Sequence, residues 1–155
     1  MKQTAEPKKD NNTVELATFY IGESLCGMDI LRVQEINKPQ EITHVPQSPD
    51  FVLGVLNLRG RIVTVIDLGI KLGLSPIELS KENRNIIVDS GDEYIGLLVN
   101  RISDVVKADT RKIDPPPANI GGLQGKFFEG IFKTEESLIG ILNVEEALQK
   151  EVNAS

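Results

Sequence analysis

Phe51 to Leu72 reads FVLGVLNLRGRIVTVIDLGIKL, and this stretch decides the fold. Two runs rich in Val, Ile and Leu flank a bend at Arg59 and Gly60, so the pattern predicts strand, turn, strand and the start of a helix. Asp67 is placed to cap that helix, Leu68 and Leu72 share one face of it, and Gly73 suits its end. Arg59 puts a five-donor guanidinium on the tip of an otherwise apolar hairpin, which asks for a reason.

The same plan returns 76 residues later. Phe51 falls on Phe127, Gly54 on Gly130, Val55 on Ile131, and Ile62, Val63, Val65 and Ile66 on Leu138, Ile139, Ile141 and Leu142. The cap repeats as well, with Asp67 on Asn143 and Leu68 and Leu72 on Val144 and Leu148. Upstream, a shift of 69 carries Gly22, Gly27, Ile30, Arg32, Val33, Glu35 and Ile36 onto Gly91, Gly96, Val99, Arg101, Ile102, Asp104 and Val105. The two shifts differ by 76 − 69 = 7 because the second connector is longer, an insertion that loops absorb cheaply. Chance matching of short apolar runs is the alternative, and the matching glycines and caps speak against it.

Outside the repeat core, residues 1–12 are polar and without periodicity and read as a disordered tail. Ordered structure is expected over 13–151, in halves of roughly 13–80 and 81–151. VELATFYIG, turning at Gly22-Glu23 into SLCGMDILRVQEI, predicts a hairpin that runs into a long strand. Pro39, Pro46 and Pro49 then break the pattern, and Ser75, Pro76 and Glu78 form a capping box that predicts another brief helix or turn. A further hairpin turns at Ser90, Gly91 and Asp92, and 107–126, with its triple proline, is expected to cross the surface. The fold class read from this is all-β, with two small barrels of about five strands each packed together, since IVTVI and IIV suit strands covered on both faces. The sequence leaves open whether each barrel uses only its own half or exchanges a strand.

Seventeen basic against 23 acidic residues give a formal charge of −6, which opposes nucleic-acid or anionic-lipid binding, and aromatics at 5% offer no stacking platform for bases. One cysteine and one histidine exclude an internal disulfide and a zinc site. No apolar leader and no run of 18 apolar residues is present, so a soluble cytoplasmic protein is expected. Cys26 and His44 could be taken for a nucleophile and base, but Cys26 aligns with Ile95 and reads as a buried small hydrophobe. Asp89, Asp92 and Glu93 suit a turn rather than an acid and base pair, and the triple proline suits a stiff connector rather than a ligand for a proline-binding module. No phosphate loop or metal-ligand cluster occurs, so neither catalysis nor a cofactor is expected. Arg59 differs from its repeat partner Glu135, and Glu35, alternating with Val33, is the expected partner of its guanidinium. An exposed pair contributes only about 0–1 kcal/mol, so recognition rather than stability is the reason we read for it.

Taken in order, GMDILRVQEI, the quoted hairpin with its NLRG (Asn57, Leu58, Arg59, Gly60), IGLLVNRISDVV, and FFEGIF through LIGILNVEEAL resemble the CheW-type chemotaxis coupling proteins over residues 14 to about 150. The resemblance implies two five-stranded SH3-like barrels sharing a hydrophobic core, with short helices. It also implies a non-enzymatic adaptor that links the cytoplasmic tips of transmembrane chemoreceptors to the regulatory domain of the chemotaxis histidine kinase, at membrane-associated receptor arrays. By motif position it assigns receptor contact to Ile30, Val33, Glu35, Arg59 and Val105, and kinase contact to Ile36, Ile42, Val45 and Gly54. Two other readings stand beside it: a small-molecule-binding barrel or enzyme with a site between the barrels, and an adaptor for an unrelated partner.

Overall fold

In the computed structural model of the chain, which describes residues 12–149, the first half contributes β1 (Thr13–Ile21), β2 (Ser24–Asp29), β3 (Val33–Asn37), β4 (Val52–Leu58), β5 (Arg61–Asp67) and α1 (Leu68–Lys71). The second contributes β6 (Arg84–Asp89), β7 (Tyr94–Val99), β8 (Arg101–Asp109), a short ribbon of β9 (Asn119–Ile120) and β10 (Leu123–Gln124), β11 (Phe128–Lys133), β12 (Leu138–Leu142) and α2 (Val144–Leu148). Two five-stranded sheets form, in the orders β3-β6-β7-β5-β4 and β11-β12-β2-β1-β8. Each therefore takes a hairpin from the opposite half of the sequence: β6-β7 joins the sheet of β3, β4 and β5, and β1-β2 joins that of β8, β11 and β12.

The repeat governs this exchange down to register. Cys26 and Gly27 of β2 pair in parallel with Gly140 and Ile141 of β12. Moving the first two by 69 and the second two back by 76 gives Ile95, Gly96, Thr64 and Val65, and β7 pairs with β5 at Ile95↔Thr64 and Gly96↔Val65. Each sheet then curls shut. The segment after β3 bridges to β4 at Thr43↔Val55, and the segment after β8 bridges to β11 at Asp114↔Ile131. Curling removes two open edges that would otherwise offer unpaired amides.

The hairpin exchange joins the two sheets in one large core and leaves a smaller cluster of Leu16, Ala108, Ile139 and Ile141 within the second sheet. Phe19, Ile21 and Met28 of the second sheet pack in a single cluster with Leu56, Val63, Ile87, Leu97 and Leu68, and Phe127, Leu142 and Val144 complete it. The β6 and β7 strands are buried on both faces, as their unbroken apolar runs require. Both helix caps form: Asp67 Oδ1 accepts from Ile70 N at 3.1 Å and Asn143 Oδ1 from Glu146 N at 3.1 Å. Lys71, buried beside the Phe51 ring at 4.2 Å, donates to the Gln149 carbonyl at 2.8 Å and so ties α1 to the end of α2.

Three local expectations need correction. The long strand over SLCGMDILRVQEI is broken at Asp29, whose side chain accepts from Leu31 N at 3.0 Å and caps a 3-10 turn, Ile30–Arg32, that carries the chain from one sheet to the other. The capping box at Ser75 forms no helix, because Asp67 Oδ2 takes the Ile77 amide at 3.0 Å and holds the buried Ile77 in irregular chain. The connector after β8 does not simply cross the surface: Gly121-Gly122 turns a ribbon that buries Ile120 and Leu123, and Gln124 N donates to Leu72 O at 2.9 Å. The expected tail, residues 1–12, lies outside the described residues except for Asn12.

Candidate functional site

Leu58 pairs with Arg61, which leaves Arg59 and Gly60 as the two central residues of the β4-β5 turn. Both have positive φ, +54 for Arg59 and +85 for Gly60. Two-residue turns with this twist favour Asn, Asp or Gly at the first position. An arginine there costs about 1 kcal/mol of backbone preference. Asn57 offsets part of this, since its Oδ1 accepts from Gly60 N at 2.8 Å. Packing does not demand the residue, because 70% of the Arg59 side chain is exposed. Backbone strain kept at an exposed position points to function.

The guanidinium is anchored on Glu35: Arg59 NH2 donates to Glu35 Oε1. β3 and β4 stand at opposite ends of the strand order, so this bond exists only because the sheet has curled. The Arg59 hydrogen bond, followed by one from the Asn37 amide at 2.8 Å, holds the Glu35 carboxyl below its ordinary value of 4.5. A lowered carboxylate stays charged above that value, so the pair persists through neutral pH and is lost only as pH falls through the lowered titration. The second barrel lacks such a pair. Its equivalent positions, Asp104 and Glu135, are both acidic, and its tip is held instead by Thr134 and Ser137.

Around this pair the structure gathers some predicted residues and separates others. Ile30 and Val33 are half-buried at the crossover turn and pack on the core. Between them Leu31 is 79% exposed, a surface residue that the unbroken-strand reading concealed. Arg32 fixes the turn by donating to Glu145 Oε2 at 2.6 Å. Val105, 55% exposed, stands on β8 in the other sheet, at the repeat position of Ile36, which is 40% exposed. Ile42 and Val45 are half-buried on the segment that bridges to β4, whereas Gly54 is buried beneath Thr43 and His44. Gly54 therefore offers no surface of its own and acts by seating that segment.

Cys26 is fully buried, and burial pushes its thiol up to about 12. We expect the folded chain to resist an aromatic disulfide reagent at pH 8 and to react with one equivalent on denaturation; prompt native labelling would contradict the burial. A surface cleft of about 540 Å³ where the β1-β2 turn meets residues 74–78 is lined by neither histidine, cysteine nor arginine. Among the described residues no group of His, Cys, Asp and Glu is placed to hold a metal ion, and no helix is long and apolar enough to cross a membrane.

Comparison with known proteins converges on one family. Residues 15–152 match the model of the CheW-like domain. The chain is 34% identical over 145 residues to the chemotaxis protein CheW of Helicobacter pylori, covering 93% of this chain and 87% of that one. It is 31% identical to the Thermotoga maritima protein of the same name, covering 97% and 95%. The crystal structure of scaffolding protein TtCheW from Thermoanaerobacter tengcongensis superposes with a TM-score of 0.83 at 32% identity over 96% of both chains. These relatives are named as chemotaxis and scaffolding proteins, not as enzymes. With two curled five-stranded sheets sharing a large core and this match over nearly its whole length, the chain belongs to the CheW-like domain family.

Proposed function

We propose that the chain is a chemotaxis adaptor that binds the cytoplasmic tips of transmembrane chemoreceptors and the regulatory domain of the chemotaxis histidine kinase at once. It works in the cytoplasm, at receptor arrays beside the membrane. The observation that carries this reading is Arg59, held on Glu35 at φ +54 in a turn where a glycine would be less strained. Receptor contact is assigned to Arg59, Glu35, Ile30, Val33 and Val105. Kinase contact is assigned to Ile36, Ile42 and Val45, with Gly54 supporting the segment. The adaptor transmits receptor state through differential affinity for two kinase arrangements, since binding shifts an equilibrium only by that difference.

The test is direct mixing. Size-exclusion chromatography and titration calorimetry of the purified chain with a kinase regulatory domain, with a receptor-tip fragment, and with both together should give two binary complexes and one ternary complex. Failure to bind either partner would overturn the reading. The two faces are separable: Val45→Asp, on the half-buried bridging segment, should weaken kinase binding about tenfold and leave receptor-tip binding unchanged. Equal losses toward both partners would mean that the two faces are not distinct.

A further inference from the structure

The Arg59 and Glu35 pair has a third member. Glu35 gives Oε1 to Arg59 and Oε2 to Asn37, whose Nδ2 donates at 2.8 Å. Asn37 lies two residues along β3, hence on the same face as Glu35. Its cross-strand partner on β6 is Asn85, which is 1% exposed and whose Oδ1 has no hydrogen-bond partner. An unpaired buried amide oxygen is costly. Asn37 Nδ2 makes its bond to the half-buried Glu35 carboxylate and makes none to Asn85. The Asn37 side chain is thus committed to Glu35.

We infer that Asn37 is a positioning residue that locks the Glu35 carboxylate, so that Arg59 is presented with the rest of its fork open to a carboxylate or backbone carbonyl of the receptor-type partner. The inference rests on the coupling function proposed above. A lone glutamate on a strand samples several rotamers, and an arginine bonded to it would share that freedom. With both oxygens fixed, the guanidinium is ordered before the partner arrives, and the ordering cost on binding falls. With 70% of the Arg59 side chain exposed, its outer edge faces solvent. Neither the repeat nor the NLRG motif points to Asn37, because its counterpart at the 69-residue shift is Val106.

The experiment follows the Glu35 carboxyl carbon by NMR titration in the full chain, alongside calorimetry with a receptor-tip fragment. Glu35 is faced by Arg59 from the hairpin tip, by Asn37 from its own strand, and by the uncharged Ile87 and Asn85 from β6. Asn37→Leu should move the Glu35 titration up toward its ordinary value, leave the melting temperature unchanged, and weaken receptor-tip binding about three- to tenfold. Asn37→Gln, which restores an amide donor, should recover most of both effects. An unmoved Glu35 titration in Asn37→Leu would overturn the inference, as would unchanged binding. If the unaltered chain ignores the receptor tip, the coupling function fails and the partner named here falls with it, while the titration still decides whether Asn37 sets Glu35.

Discussion

Gly54→Ala is expected to destabilise the chain by about 3 kcal/mol. A Cβ built on Gly54 would collide with the Thr43 carbonyl oxygen and lie 2.9 Å from its carbon and 3.3 Å from His44 Cα. These are backbone atoms, and they belong to the bridge that shuts the first barrel, in which Thr43 and Val55 exchange bonds of 2.8 and 2.9 Å. The φ of +153 adds a conformational penalty to the collision. Gly60→Ala is the control: its φ is +85, but nothing lies within 4 Å of the added Cβ, so only the backbone preference of about 1 kcal/mol is lost. At about 3 °C per kcal/mol for a domain of this size, the two variants should melt about 6 °C apart. Equal melting temperatures would mean that the Thr43 bridge does not close the barrel.

Gly54 was legible in the sequence as half of a repeat with Gly130, and the repeat was legible because turns and caps are local chemistry. Asp67 and Asn143 need only the next three residues to act as caps, so their roles can be read without knowing the fold. Which sheet a hairpin joins is a different kind of fact. Alternation along β1-β2 or β6-β7 says which side chains point inward, not which neighbour supplies the next strand, so the exchange between halves emerges only from register. The capping box at Ser75 failed for a related reason: Asp67, ten residues upstream, captured the Ile77 amide, and a long-range bond outweighed a local preference. At the crossover, the single aspartate Asp29 was the available sign of a 3-10 turn and was hidden within an otherwise continuous strand pattern.

For the site, residue type carried the inference further than pattern did. Arg59 and Glu35 are 24 residues apart and at opposite ends of a strand order, yet complementary charge together with the place of Glu35, alternating with Val33 on a strand expected near the hairpin, paired them. Ile36 and Val105 show the limit. Under the repeat they are the same position, one in each barrel, and both are exposed, so symmetry alone cannot assign them to different partners. What separates the barrels is charge at the tips: Arg59 with Glu35 in one, Glu135 with Asp104 in the other. The strands, which serve packing, repeat between the halves, while the tips diverge.

That divergence makes Arg59 the decisive residue, and Arg59→Gly the sharper of two substitutions. Glycine at this φ removes a backbone cost of about 1 kcal/mol, against the loss of an exposed ion pair contributing about 0–1 kcal/mol, so the variant should be as stable as the original chain or slightly more so. Receptor-tip binding should nevertheless fall about thirtyfold, the scale of an arginine anchor worth about 2 kcal/mol. Arg59→Glu should lose at least as much, because the new carboxylate faces Glu35, and adding Glu35→Arg should recover part of the loss by reversing the pair. A folding defect would lower the melting temperature and the affinity together; the expected signature is affinity lost with stability kept. Full receptor-tip binding by Arg59→Gly would leave the strained arginine without a function and remove the hairpin tip from the interface.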